Sequence, residues 1–122
     1  MSENVFYHAV EAHIKWKIRL QKHLDGTSEE KLNPDVICQD NQCTLGKWIY
    51  GDGQQYKNME GFEELRNTHA NFHKCASEVI RKTDDGNKPQ AEALFRNDYA
   101  LLSKDITRML VKMNALIKNY RK

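Results

Sequence analysis

Residues that break helices are scarce in this sequence. Two prolines and six glycines occur among 122 residues, and most of them cluster: Pro34 lies in a polar stretch, Gly51 and Gly53 flank Asp52, and Gly86 precedes Pro89. Between these breaks, apolar residues recur at helical spacing, and no internal repeat or low-complexity segment is present. The pattern therefore predicts long helices joined by a few connections.

The sequence also lacks long apolar runs and an excess of charge of one sign. No apolar run approaches the roughly 18 residues that a membrane span requires, and the N-terminus MSENVFYHAVEAH lacks the features of a signal peptide. We therefore expect a cytoplasmic protein with no direct membrane insertion. Lysine and arginine number 19 against 17 acidic residues, and the charges are interspersed, which argues against nucleic-acid binding.

Cysteine is also scarce, with only three in the chain. An odd number of cysteines in a cytoplasmic protein favours reduced thiols or a metal site over a disulfide framework. The length fits one domain, which we expect to span residues 1–122.

Apolar periodicity predicts three long helices and one short one. The long helices are expected over Glu3–Leu24, over Gly61–Lys82 and from about Lys88 onward, and the short helix over Thr44–Tyr50. Residues 25–42 read as a connection with a short helical turn at Ser28-Glu29-Glu30. These elements predict an all-α four-helix bundle, with an extra short helix that carries a cysteine. The apolar stripe of the last helix is predicted to contain Ala91, Leu94, Phe95, Leu102, Ile106, Met109, Met113 and Leu116.

Three histidines and one cysteine fall where the predicted helices would bring them together. His13 lies in the apolar stripe of the first helix, and His69 and His73 lie one turn apart in the stripe of the third. Cys43 opens the short helix, where backbone N–H groups favour a thiolate. Three imidazoles and one thiolate suit Zn²⁺, whereas Mg²⁺ and Ca²⁺ prefer oxygen and copper would compete with zinc.

Three ordered motifs carry a resemblance to a known family. They are His13-Ile14-Lys15-Trp16, then Cys43-Thr44-Leu45-Gly46-Lys47-Trp48, then His69-Ala70-Asn71-Phe72-His73. The set resembles the signature of the chemoreceptor zinc-binding (CZB) domain family. The spacing from His13 to Trp16 is one residue longer than the tightest form of that pattern.

The resemblance implies a ligand set and a regulatory function. It implies that His13, Cys43, His69 and His73 bind one zinc inside a cytoplasmic bundle, usually a homodimer, and that Cys43 is redox-sensitive. It also implies a non-enzymatic domain that responds to zinc or to oxidants such as hypochlorous acid. Such a domain controls a fused or associated chemoreceptor or diguanylate cyclase. Cys38 is a candidate resolving thiol, and Cys75 is expected to be a spare one.

Other functions remain to be weighed against sensing. A zinc hydrolase would need an open ligand position and a general base, but no Glu follows His69. A di-iron bundle would need inward Glu-x-x-His pairs, which are missing. A structural zinc-stabilised dimerisation module stays open, because the last helix has surplus apolar residues that a homodimer would cover. The chain shows no glycine-rich phosphate loop and no catalytic triad, so we expect any output domain to be separate or fused.

Overall fold

The chain folds into a helical bundle. The structure, a computed structural model, describes residues 3–27, 32–33, 37 and 43–120, and among these residues it contains helices and no strand. The predicted turn at 28–30 and Cys38 lie outside the described residues. The all-α bundle is confirmed. Its helices are α1 (Glu3–Asp25), α2 (Thr44–Tyr50), α3 (Phe62–Asp84), α4 (Lys88–Leu94) and α5 (Ala100–Tyr120), with a 3-10 helix at Asp52–Tyr56 and a π-helical turn at Phe95–Tyr99.

Two of the long helices end in the same glycine motif. Gly26 after α1 and Gly86 after α3 have φ angles of 75° and 84°, which only glycine adopts without strain. In each case the glycine N–H bonds to a carbonyl three residues back, and the next N–H bonds to one five residues back. These are the two hydrogen bonds of a Schellman motif, which satisfies the last carbonyls of a helix.

Helices α1 and α3 run in the same direction. His23 near the end of α1 contacts Asp84 at the end of α3, with 2.8 Å between Nε2 and Oδ1. Ten residues earlier, His13 packs against Phe72, with 4.5 Å between ring centroids. The side chain of His23 is only 16% exposed because it pairs with Asp84 across the bundle.

The short helix α2 is attached to the bundle by apolar side chains. Leu45 and Trp48 are both buried, as their three-residue spacing predicts. The Trp48 ring stacks on Tyr56 at 6.2 Å and lies 6.0 Å from Phe62 at the start of α3. This packing fixes the position of the residue that precedes the helix, Cys43.

A π-helical turn changes which residues of the last helix face the core. Tyr99 at the end of this turn is buried, and the buried residues after it are Ile106, Leu110, Met113 and Ile117. Met109 and Leu116, which the predicted stripe places in the core, are only half-buried. A π turn holds an extra residue, which rotates the following helix by about one position relative to an uninterrupted α-helix. Leu101 and Val111 remain exposed. None of the described helices has the length and apolarity that a membrane crossing needs.

Candidate metal centre

Cys43, His69 and His73 converge in the bundle interior. The Sγ of Cys43 lies 3.2 Å from Nε2 of His69. The same Nε2 of His69 lies 3.1 Å from Nε2 of His73. The three potential ligand atoms all lie within 4.8 Å of one another. Both histidines are buried and Cys43 is half-buried. The structure therefore brings together three of the four predicted ligands.

The helix α3 places its two histidines one above the other. His69 and His73 are separated by one turn on the apolar face of α3, and their ring centroids lie 4.5 Å apart. This face also carries Leu65, Phe72 and Ala76, all of them buried. The i, i+4 spacing on a buried stripe places the two imidazoles on the same side of the helix, where both can face one metal ion.

Cys43 is positioned by the start of α2. It is the N-cap residue, with extended backbone angles of −87° and 169°, and its Sγ accepts a hydrogen bond of 3.3 Å from the Gly46 N–H. A backbone N–H that points at sulfur favours the thiolate, which is the metal-binding form. The N-terminal placement predicted for Cys43 is thus confirmed.

His13 lies beside this cluster without joining it. Its ring centroid is 5.9 Å from that of His69 and 4.5 Å from that of Phe72, and it is not among the three residues whose ligand atoms converge. The residue is 6% exposed, and its Nδ1 has no hydrogen-bond partner among the described residues. His13 is therefore close enough to approach the cluster from α1, and its role as fourth ligand stays a prediction.

Burial keeps His13 and His69 neutral. Desolvation, followed by the effect of nearby His73, lowers the pKa of His13 from 6.5 to about 4. Burial, with smaller effects of His73 and His13, lowers the pKa of His69 to about 2. A neutral imidazole is the form that binds metals, so the interior favours ligation over protonation.

The donor set and its distances fit a tetrahedral metal ion. Ligands at typical zinc distances of about 2.0–2.1 Å for nitrogen and 2.3 Å for sulfur would lie roughly 3.3–3.6 Å apart. The observed separations of 3.1 and 3.2 Å are slightly shorter than these edges. One proton on His69 Nε2 can bridge to only one of its two neighbours, whereas a cation at the centre would satisfy all three. Nitrogen and thiolate donors favour zinc or copper over Mg²⁺ and Ca²⁺.

One contact at this centre has no signal in the sequence. Nδ1 of His73 lies 2.9 Å from the backbone oxygen of Ile37, which comes from the connection between α1 and α2. A carbonyl oxygen only accepts hydrogen bonds, so Nδ1 carries the proton and Nε2 presents its lone pair to the cluster. A backbone acceptor is available at every residue, which is why no residue pattern could have singled out Ile37.

The other described cysteine is in a different environment. Cys75 is buried, and burial, with smaller effects of Asp98 and Glu78, raises the pKa of its thiol to about 11. A thiol with a raised pKa is unreactive, because the thiolate is the nucleophile. Cys75 is absent from the converging group, in agreement with its expected role as a spare thiol.

The fold and the centre together define a helical metal-binding protein with a thiolate–imidazole cluster in its core. The family model described as the chemoreceptor zinc-binding domain matches residues 13–80, which is more than half of the chain and includes all four predicted ligands. The chain belongs to this family. By its family, it is classified as a zinc-binding regulatory domain. No curated protein and no solved structure gives a significant match to it.

Proposed function

We propose that this protein is a zinc sensor domain with one zinc bound by His13, Cys43, His69 and His73. The observation that carries the proposal is the buried convergence of Cys43 Sγ, His69 Nε2 and His73 Nε2. His13 supports a fourth bond because its buried Nδ1 lacks a partner among the described residues and its low pKa keeps the ring neutral. A small shift of α1 toward α3 would complete a closed tetrahedral set.

Cys43 is the ligand through which we propose that oxidants act. It is the most exposed of the four proposed ligands, and its thiolate is the form that both binds metal and reacts. With hypochlorous acid, the thiolate gains oxygen and becomes a sulfenic acid while chlorine is reduced to chloride, a two-electron exchange. The sulfenic acid is uncharged and a weaker ligand, so the bond between Cys43 and the metal would be lost.

Loss of that bond would release α2 from the metal centre. Besides the sulfur of Cys43, which caps its start, α2 is held by the buried side chains of Leu45 and Trp48 and by a hydrogen bond from Gln54 to the Ile49 carbonyl. The metal-bound and released positions of α2 are the two states that zinc or an oxidant would bias. We propose that these states control a chemotaxis or cyclic-di-GMP output in the cytoplasm, from a fused or associated domain.

A homodimer fits the surface of the bundle. Tyr7, Ile14 and Ile18 are more than half exposed and lie along one side of α1, and Leu101 and Val111 are exposed on α5. Apolar side chains in a row at helical spacing are typical of a surface that another helix covers. These residues also favour the second candidate function, a structural zinc-stabilised dimerisation module without sensing.

Two measurements distinguish sensing from a structural role. Hydrogen exchange of residues 43–50 is compared in protein with zinc, after chelation and after one equivalent of hypochlorous acid. A sensor should show faster exchange in this segment after either treatment, while exchange in α3 and α5 stays unchanged. A structural module should instead unfold globally when zinc is removed and should show no response confined to α2.

A further inference from the structure

The backbone oxygen of Ile37 lies outside the ligand cluster and within hydrogen-bond distance of a ring nitrogen of His73, one of the two converging histidines. Nδ1 of His73 donates to it over 2.9 Å, whereas Nδ1 of His69 is buried and has no partner among the described residues. Ile37 is 7% exposed and His73 is 4% exposed, so water does not compete strongly for this hydrogen bond. The two histidines of α3 are therefore held in different ways.

Ile37 is itself fixed in place. Its side chain is part of the hydrophobic core, and its N–H donates to the Asn33 carbonyl over 3.0 Å. The carbonyl that faces His73 therefore belongs to an anchored residue. Nothing in the apolar packing of Ile37 requires its carbonyl to face an imidazole, so this contact needs its own explanation.

We propose that the Ile37 carbonyl is a positioning group for the metal centre, and that metal binding and the anchoring of Ile37 stabilise each other. The proposal rests on the metal site proposed above. By accepting the Nδ1 proton, the carbonyl selects the tautomer of His73 whose Nε2 is unprotonated and aims that lone pair at Cys43 and His69. A histidine that donates through its second nitrogen is a stronger and better oriented metal ligand.

The coupling follows from reciprocity. A metal on Nε2 withdraws charge from the ring and makes Nδ1–H a better donor, which strengthens the hydrogen bond to Ile37. The same free energy then appears as tighter metal binding when Ile37 is in place and as firmer anchoring of Ile37 when metal is bound. Ile37 thereby reports the metal state through His73.

The first test reads the tautomer of His73 and needs no variant. Long-range ¹H–¹⁵N spectra of the metal-free and the zinc-loaded protein should show His73 with Nδ1 protonated in both states. The Nδ1 proton should exchange slowly with water, and more slowly still with zinc. A His73 protonated at Nε2 in the metal-free protein would overturn the proposal. This outcome is independent of whether zinc binds at all.

The second test compares two alanine variants in the same connection. Ile37→Ala removes the anchor of the carbonyl, while Leu32→Ala removes an equally buried side chain and leaves Ile37 in place. We expect zinc affinity, measured by chelator competition, to fall about 10–100-fold in Ile37→Ala, and several times less in Leu32→Ala. Equal affinities in the two folded variants would refute the positioning role. If Ile37→Ala fails to fold, the tautomer measurement decides.

The third test follows the Ile37 amide by hydrogen exchange. Zinc should slow its exchange, and chelation should restore the faster rate, while amides near the end of α5 stay unchanged. If the unsubstituted protein binds no zinc, the proposed function fails. If it binds zinc tightly but the Ile37 amide does not respond, only the present proposal fails.

Discussion

The imidazole of His13 packs on the ring of Phe72, with 4.5 Å between centroids and an interplanar angle of 37°. Phe72 lies between the two histidines of α3 in sequence, so this contact holds α1 at the level of the metal centre. His13 is thereby kept within reach of the cluster, with its ring 5.9 Å from that of His69. His13 is thus the proposed ligand whose recruitment would move a whole helix.

Removal of His13 should weaken zinc binding without abolishing it. Because Cys43, His69 and His73 already converge, His13→Ala should leave a three-ligand site with water in the fourth position. Loss of a partner that only orients a ligand costs about 10–100-fold in affinity, and loss of a ligand should cost at least that much. The measurement is competition with a chromogenic chelator, with exposed His8→Ala on the same helix as control. Equal affinities of the two variants would remove His13 from the ligand set.

Hypochlorous acid should modify Cys43 well before Cys75. The thiol of Cys75 is buried and its pKa is raised to about 11, so almost none of it is thiolate at neutral pH. Cys43 is half-buried, and its Sγ accepts the Gly46 N–H, which favours the thiolate. Mass spectrometry after a substoichiometric dose of oxidant should locate the first added oxygen at Cys43. Equal modification of Cys43, Cys38 and Cys75 would contradict the redox proposal and favour a pure zinc sensor.

The metal-free protein should lose stability in mild acid. Burial lowers the pKa of His13 to about 4 and that of His69 to about 2, below the value of about 6.5 expected when the chain is unfolded. As the pH falls below 6.5, the unfolded chain takes up protons that the folded histidines cannot, so the free energy of unfolding decreases. Each group can contribute about 1.4 kcal/mol per pH unit down to its folded pKa.

Chemical denaturation of chelator-treated protein between pH 7.5 and 5 checks this prediction. His13→Gln should reduce the pH dependence, whereas exposed His8→Gln should leave it unchanged. Identical pH profiles for the two variants would mean that His13 is not held neutral by burial. Zinc should shift the loss of stability to lower pH, because the bound metal must also be displaced by protons.

Substitution of Tyr99 by phenylalanine should not destabilise the bundle. The Tyr99 hydroxyl is buried and lacks a hydrogen-bond partner among the described residues, while its ring stacks on Phe95 and packs at a tilt against Phe72. An unsatisfied buried hydroxyl costs about 1–3 kcal/mol, so Tyr99→Phe should raise the free energy of unfolding by up to about 1 kcal/mol after the loss of packing volume is included. Exposed Tyr7→Phe is the control. A decrease of 1 kcal/mol or more would reveal a partner for the hydroxyl.

A charge on the apolar side of α1 should weaken the proposed homodimer. Tyr7, Ile14 and Ile18 are 67%, 58% and 51% exposed, and their spacing keeps them within about 40° of one another around the helix. Ile14→Glu should shift the mass measured by light scattering toward the monomer at micromolar concentration. His8→Glu, about 120° away on α1, should not. A protein that is monomeric without any substitution would contradict the dimer itself.

Much of the fold can be predicted from the sequence because the helices are strongly amphipathic. The bounds predicted for α2 are those observed, and α1 and α3 begin and end within two residues of their predicted limits. The last helix is the exception. The π-helical turn at Phe95–Tyr99 has no periodic signature, and it is this turn that exchanges Met109 and Leu116 for Leu110 and Ile117 in the core.

The sequence predicts those parts of the metal centre that side chains form. His69 and His73 are a pair on one apolar face, and Cys43 precedes a short helix, so their convergence follows from helix geometry. The exact approach of His13 depends on how α1 packs against α3, which periodicity does not fix. The Ile37 carbonyl and the pairing of His23 with Asp84 depend on tertiary contacts that any of several residues could have made.

X-ray absorption at the zinc edge tests the account most directly. Purified protein loaded with one equivalent of zinc should show about three nitrogen neighbours at roughly 2.0–2.1 Å and one sulfur at roughly 2.3 Å. Cys43→Ser should remove the sulfur, and His73→Ala should remove one imidazole. A zinc spectrum without sulfur, or one left unchanged by Cys43→Ser, would contradict the claim that Cys43, His69 and His73 together hold the metal.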